Sequence, residues 1–230
     1  METNKTISVV VPLYNYSQYI GACLDSVLAQ SITPHEIIVV NDGSTDNWEQ
    51  ALAPYLDKIK IVNKANGGLS SARNAGIAIA TCEFCMTLDA DDVLPPNSLK
   101  YHLELAGQKK IAQCGLQEFG ARDRMYWPQG ATLHSMTCGN TVYCNAVFPK
   151  KIWELVGGYD ESEIMRLGLE DYEFWLICMD RGCRVVTRPE IGLLYRIHPE
   201  SMTRTTTHKN YSKIMDYIRE KNKKIFGLFG

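Results

Sequence analysis

The chain has 230 residues, 45% of them hydrophobic and 22% charged, with 17 Gly and 9 Pro. That composition excludes the collagenous, low-complexity and disordered classes and leaves room for a sizeable core. A formal charge of −2 supplies no general field for gripping a nucleic-acid backbone, so no nucleic-acid partner is expected.

Ile7 to Val11 reads as a strand buried on both faces, ended by Pro12, which lacks a ladder donor. Tyr19, Ile20, Cys23, Leu24, Val27 and Leu28 then recur at helical spacing. A strand at Ile37 to Val40, a helix from Trp48 to Leu56 and a short strand around Ile59 to Val62 follow. Next come a helix from Leu69 to Ile79, a strand from Phe84 to Leu88 and a helix near Asn97 to Ala106 opened by Pro95 and Pro96. Alternation of this kind predicts an α/β fold with a parallel sheet. After about Ile111 the alternation fades. Strands are expected at Ala112 to Phe119 and Val142 to Phe148, with helices at Lys150 to Val156 and Asp171 to Arg181. No linker or internal repeat divides the chain, so the second half is read as decorating the first.

The acidic and Gly-rich turns follow strand ends, the edge where open α/β sheets bind ligands. Asp89-Ala90-Asp91-Asp92 crowds three carboxylates on one turn, and a hard divalent cation, Mn²⁺ or Mg²⁺, is the obvious offset. A solvated acidic turn is the plainer reading. In Asn41-Asp42-Gly43-Ser44-Thr45-Asp46, Ser44 or Asp46 is placed to cap the following helix, while Asp42 points to the ligand edge and is able to accept a base N–H. Asn66-Gly67-Gly68 leads into a helix N-terminus that also carries Arg73, an assembly that attracts anions. Glu170-Asp171 sits at the start of a buried helix, where capping and dipole complementarity would suffice. Trp127 beside Pro128 is either a loop anchor or a surface that stacks on a sugar ring.

Val9-Val10-Val11-Pro12-Leu13-Tyr14-Asn15, the Asn41 to Asp46 turn, the Asn66 to Gly76 segment, Leu88 to Asp92, Gly157-Gly158-Tyr159-Asp160-Glu161 and Glu170-Asp171, in this order, resemble a family 2 glycosyltransferase of the GT-A fold. The likeness spans roughly residues 5 to 205. It implies inverting transfer of one sugar from a nucleotide diphosphate sugar, UDP-linked by preference, to a glycan or lipid-linked acceptor, in the setting of bacterial surface polysaccharide synthesis. It also implies that Pro12, Tyr14, Asn15, Asp42, Asn66, Gly67, Arg73, Asp89, Ala90 and Asp91 line the nucleotide site. Asp91, with Asp89 and His198, is implied to hold the metal, and Arg196 to neutralise the diphosphate. Asp171 becomes the general base, supported by Glu170. Asp92, Tyr172 and Glu173 receive no chemical role.

The implied division is a GT-A domain over 1–207, with a nucleotide-binding half to about 110, and a tail over 208–230. That tail carries +4 against −6 for the remainder, with Tyr211, Ile214, Met215, Ile218, Ile225, Phe226 and Phe229 on one helical face. Packing on the domain is the first reading, and contact with a membrane surface the second. The run before Pro12 is too short for a signal-peptide core and no stretch reaches the ~20 apolar residues of a spanning helix, so a cytoplasmic protein, peripheral at most to the inner membrane face, is expected. The eight cysteines then read as reduced, and the lone Cys82/Cys85 pair as no zinc site. Three rival readings are a nucleotide-sugar-binding module without catalysis, a membrane-recruited assembly partner whose basic tail is its main activity, and a sugar-phosphate nucleotidyltransferase, although the Gly-rich N-terminal loop expected of the last is missing.

Overall fold

The computed structural model describes residues 5–229. Its first sheet contains β1 (Ile7–Leu13), β2 (Glu36–Asn41), β3 (Lys60–Asn63), β4 (Phe84–Thr87) and β7 (Phe148–Pro149), in the order β3-β2-β1-β4-β7. β1, β2, β3 and β4 pair in parallel, and β7 joins β4 antiparallel. All seven residues of β1 are buried, as expected of a central parallel strand covered on both faces. Because β2 and β4 flank β1 on opposite sides, the chain reverses its direction of winding at β1. The crevice at the carboxyl ends of β1 and β4 is therefore a topological switch point.

Helices α1 (Ser17–Leu28) and α3 (Leu69–Ile79) cover opposite faces of that sheet. α3 sits tight against it: a Cβ on Gly76 would lie 2.4 Å from Val10 Cγ1 and 2.9 Å from Val40 Cγ2. α2 (Trp48–Leu52) is shorter than the expected helix to Leu56, since Pro54 lacks a donor and the chain tightens into a 3₁₀ turn over Ala53–Tyr55. α4 (Ser98–Leu105) follows β4.

The second sheet has the order β6-β5-β8, with β5 at Lys110–Gly120, β6 at Arg124–Tyr126 and β8 at Arg184–Ile197. β8 runs parallel to β5 with register shifts between Gln113 and Leu116, and neither it nor β6 is announced by alternation in the sequence. The strand expected at Val142 to Phe148 forms only at Phe148–Pro149. Side chains take the place of a ladder there: Val142 N donates to Asn140 Oδ1 and Tyr143 N to Gln113 Oε1, at 3.0 and 2.9 Å. Since β7 lies in the first sheet, the two halves are interleaved. α5 (Leu133–Cys138), α6 (Lys150–Val156) and α7 (Glu170–Asp180) complete this half.

In the tail, α8 (His208–Lys221) buries Ile214, Met215 and Ile218, and α9 (Lys223–Phe226) buries Ile225, all in the core cluster that contains Phe174 and Trp175 of α7. Lys221 Nζ lies 2.8 Å from the fully buried Glu173 and 2.7 Å from Asp160. Among the described residues all eight cysteines are free, and no helix is long and apolar enough to cross a membrane.

Candidate active site

A cleft of about 780 Å³ opens at the switch point. The end of β1 supplies Pro12 and the loop after it Tyr14 and Asn15, the loop after β2 supplies Asp42, and the turn after β4 supplies Asp89, Ala90 and Asp91. Asn66 and Arg73 come from the α3 entry, and Glu170 and Asp171 from the first turn of α7. Residues far apart in sequence thus share one cavity. Gly67, Arg196 and His198 are outside its lining.

The turn after β2 works differently from the expected helix cap. Asp46 Oδ2 accepts from Ser17 N at the start of α1, 2.8 Å away, and Ser44 Oγ accepts from Asn15 N at 3.0 Å. Neither caps α2; both fix the loop after β1. Gly43 permits this with φ +76°, and a Cβ there would meet Asn66 N at 2.9 Å.

The anion expected at the α3 entry is the protein's own. Gly67 N donates to Asp42 Oδ1 at 2.9 Å and Gly68 N to Oδ2 at 2.8 Å, with Lys64 Nζ at 2.7 Å from Oδ1. Asp42, 3% exposed, therefore occupies the amides that a phosphate would have used. Three of about four carboxylate acceptor sites are taken, leaving one toward the cleft.

Arg73 is 1% exposed and donates to Asp89 Oδ1 at 2.7 Å and Glu170 Oε1 at 2.6 Å. Its guanidinium joins the two acidic motifs, and both Nη groups already serve protein carboxylates. Burial pushes Glu170 up from 4.5 to about 7, with Asp171 adding and Arg73 opposing. Burial also raises Asp171, whose Oδ2 accepts from Asn140 Nδ2 at 3.2 Å and whose Oδ1 accepts from Tyr172 N at 2.7 Å. Glu170 and Asp171 occupy the first turn of α7, but no side chain caps its start.

Asp91, in the cleft lining, meets His198, which is outside it, Oδ2 to Nε2 at 2.9 Å. The contact is a hydrogen bond, and the other ring nitrogen of His198, Nδ1, is buried without a partner, so this imidazole and carboxylate are donors of the type that would hold a hard cation. The surroundings fit it too. Asp91 is raised by burial and then by the charge of Asp89, and Asp92, fully buried, is raised strongly by burial and by both neighbours. Asp89 bonds to Arg73, and one of its carboxylate oxygens lies within 4.8 Å of ligand atoms of Asp92 and Cys144.

Arg196 lies outside the cleft lining, against the acidic turn. Its Nε donates to Asp91 O at 2.7 Å, its backbone N donates to Asp92 Oδ1 at 2.8 Å, and its guanidinium lies over the rings of Phe119 and Tyr19 at 4.4 and 4.9 Å. It braces the acidic turn through Asp91 and Asp92. Trp127, 55% exposed, also lies outside the lining.

Sequence reasoning missed Asn140, Arg166 and the wall formed by Ser201, Met202, Thr203 and Thr205 to Thr207. Arg166 Nη2 donates to Asn66 Oδ1 at 2.7 Å. The run of threonines was the one available signal for that wall.

The profile described as Glycosyl transferase family 2 matches residues 8–159. An uncharacterized glycosyltransferase of Rickettsia prowazekii is 30% identical over 222 residues, covering 88% of this chain and 67% of the relative. Among solved structures, Staphylococcus aureus TarS 1-349 in complex with UDP-GlcNAc has a TM-score of 0.74 at 20% identity, covering 93% of this chain and 65% of that one. The mannosyltransferase PcManGT of Pyrobaculum calidifontis, in complex with GDP-Man and Mn²⁺, has a TM-score of 0.67 at 20% identity, covering 87% and 59%. The chain thus spans about two thirds or less of the length of these proteins. On the profile match and the Rickettsia relative, the chain belongs to glycosyltransferase family 2 and is a glycosyltransferase with the GT-A fold.

Proposed function

We propose that the protein transfers one sugar, with inversion, from a UDP-sugar to a hydroxyl of a glycan or lipid-linked acceptor, in bacterial surface polysaccharide synthesis. The observation that carries this is Arg73, which bonds both Asp89 and Glu170 and so joins the acidic turn after β4 to the acidic start of α7 in one cleft. Donor and acceptor would meet between them.

Asp171 is the general base in this reading. Its carboxylate lines the cleft, and burial moves it toward the proton affinity that base catalysis at neutral pH requires. Glu170 orients the start of α7 through Arg73. Tyr14, Asn15 and Asp42 form the base and ribose side, with the remaining acceptor site of Asp42 available to a base N–H. Asp91 and His198 would hold Mn²⁺ or Mg²⁺, which would supply charge neutralisation to the departing diphosphate. The UDP-GlcNAc complex of TarS favours a uridine donor, while the GDP-Man complex of PcManGT shows that the fold also takes guanosine. Family membership sets the nucleotidyltransferase and the non-catalytic module aside.

A thermal-shift panel of UDP, GDP, dTDP and CDP, each with Mn²⁺ or chelator, tests the donor side by mass action. A shift for UDP with Mn²⁺ that chelator removes is expected. No shift with any nucleotide would contradict the donor assignment, and a GDP preference would replace UDP.

A further inference from the structure

The hairpin between β5 and β6 is the least explained surface of the molecule. Residues 121–127 are all exposed, among them three consecutive large side chains: Met125 at 54%, Tyr126 at 38% and Trp127 at 55%. Runs of exposed apolar residues at a sheet edge are disfavoured unless something covers them. Arg122 and Arg124 both precede the run. Arg122 is 46% exposed and stands 3.7 Å from Glu118, and the intervening anion, Asp123, accepts from Gln117 Nε2 at 3.0 Å.

From this geometry we infer that the Arg122–Trp127 hairpin is a lipid-contact element that seats the protein on an anionic bilayer surface. The residue types carry the argument first. Trp and Tyr suit the water–lipid boundary, where an apolar ring and a polar edge are both satisfied, and arginines complement anionic headgroups. Area carries it second. Alternation along the strand puts Met125 and Trp127 on one face and Tyr126 on the other, its Oη 3.3 Å from Glu118 Oε1. At about 200 Å² per large side chain, the exposed part of Met125 and Trp127 totals roughly 200 Å², well short of the ~800 Å² per partner of a stable protein interface. A bilayer imposes no such minimum. Position carries it third: Tyr126 pairs with Leu116, which lines the cleft, so a surface that takes the hairpin lies beside the cleft mouth.

This inference takes from the proposed function only the lipid-linked form of the acceptor, and it is tested without substrate. The full chain is sedimented with phosphatidylcholine vesicles and with 3:1 phosphatidylcholine:phosphatidylglycerol vesicles, and Trp emission is followed on titration. Binding to the anionic vesicles is expected, with a blue shift that Trp127→Phe removes. Trp127→Ser alone, and Met125→Ser with Trp127→Ser, should weaken partitioning at least tenfold. Arg122→Gln with Arg124→Gln should weaken it about 25-fold on anionic vesicles only, at roughly fivefold per cation. Thermal midpoint and the UDP-induced shift report folding and donor binding separately, so loss of the UDP shift alone would count against the transferase reading and not against this one. Wild-type protein that stays in the supernatant with both vesicles overturns the inference. So does undiminished sedimentation of the Met125/Trp127 variant, which would move the contact to the basic α8–α9 segment.

Discussion

The two sheets of this enzyme reach their sites by different routes. In the first, four of the cleft side chains stand one or two residues past a buried parallel strand: Tyr14 and Asn15 after β1, Asp42 after β2, Asp89 after β4. In the second, Asp171 depends on a helix held by long-range contacts, and His198 follows a 14-residue strand whose pairing with β5 is broken by register shifts. The first half places its groups by local periodicity, and the second by ion pairs and side-chain hydrogen bonds. What joins them is buried charge, above all Arg73 between Asp89 and Glu170.

Removing that joint should have the largest effect. Arg73→Met leaves the buried Glu170 and its neighbour Asp89 without their cation, and loss of about 3–5 kcal/mol is expected in urea unfolding. Stability within 1 kcal/mol of wild type would mean that the halves are joined by apolar packing alone. Lys221→Met tests the second half by itself: Glu173 is fully buried against Lys221, so a loss of about 2–4 kcal/mol is expected. A negligible loss would show α8 to be dispensable to α7. In the first half, Gly76→Ala drives a methyl into Val10 and Val40, and should cost about 1–3 kcal/mol.

The pH dependence has a definite sign. Glu170 is raised from 4.5 to about 7, so its neutral form is favoured by folding. Its contribution is full below about pH 4.5 and is lost as pH rises through 7, at most on the order of 3 kcal/mol. Asp171 is raised too and acts in the same direction. Glu36 and Asp160, lowered to about 2 chiefly by their hydrogen bonds to Lys60 and Lys221 against the cost of burial, act oppositely, and their contribution is lost as pH falls toward 2. Metal-free protein should therefore be most stable near pH 4–6 in thermal melts, and Glu170→Gln should flatten the decline above it. A wild-type midpoint that rises from pH 5 to 8 would contradict this.

The same contrast sets how much the sequence discloses. The β-branched runs at Val9 to Val11 and Ile37 to Val40, followed by polar turns, specify the parallel sheet and most of the donor side. The strands β6 and β8, and the shortening of the Val142 to Phe148 strand, depend on partners such as Gln113 and Asn140 that no local pattern names. Site chemistry follows suit. The carboxylates of Asp89, Asp91 and Asp171 are conspicuous in sequence, whereas the partners that occupy Asp42, Arg73 and Arg196 come from residues up to 105 positions away. Anion-binding potential at Gly67-Gly68 is legible; that Asp42 consumes it is a tertiary fact.

The most direct test of the central claim is Asp171→Asn, followed by transfer, read as UDP release from a UDP-sugar with acceptor, and by the UDP-induced thermal shift with Mn²⁺. The account predicts a rate reduced about 10²–10⁴-fold with the shift essentially unchanged, since the base acts only on the acceptor proton. Full turnover in that variant would contradict it and remove Asp171 from the reaction.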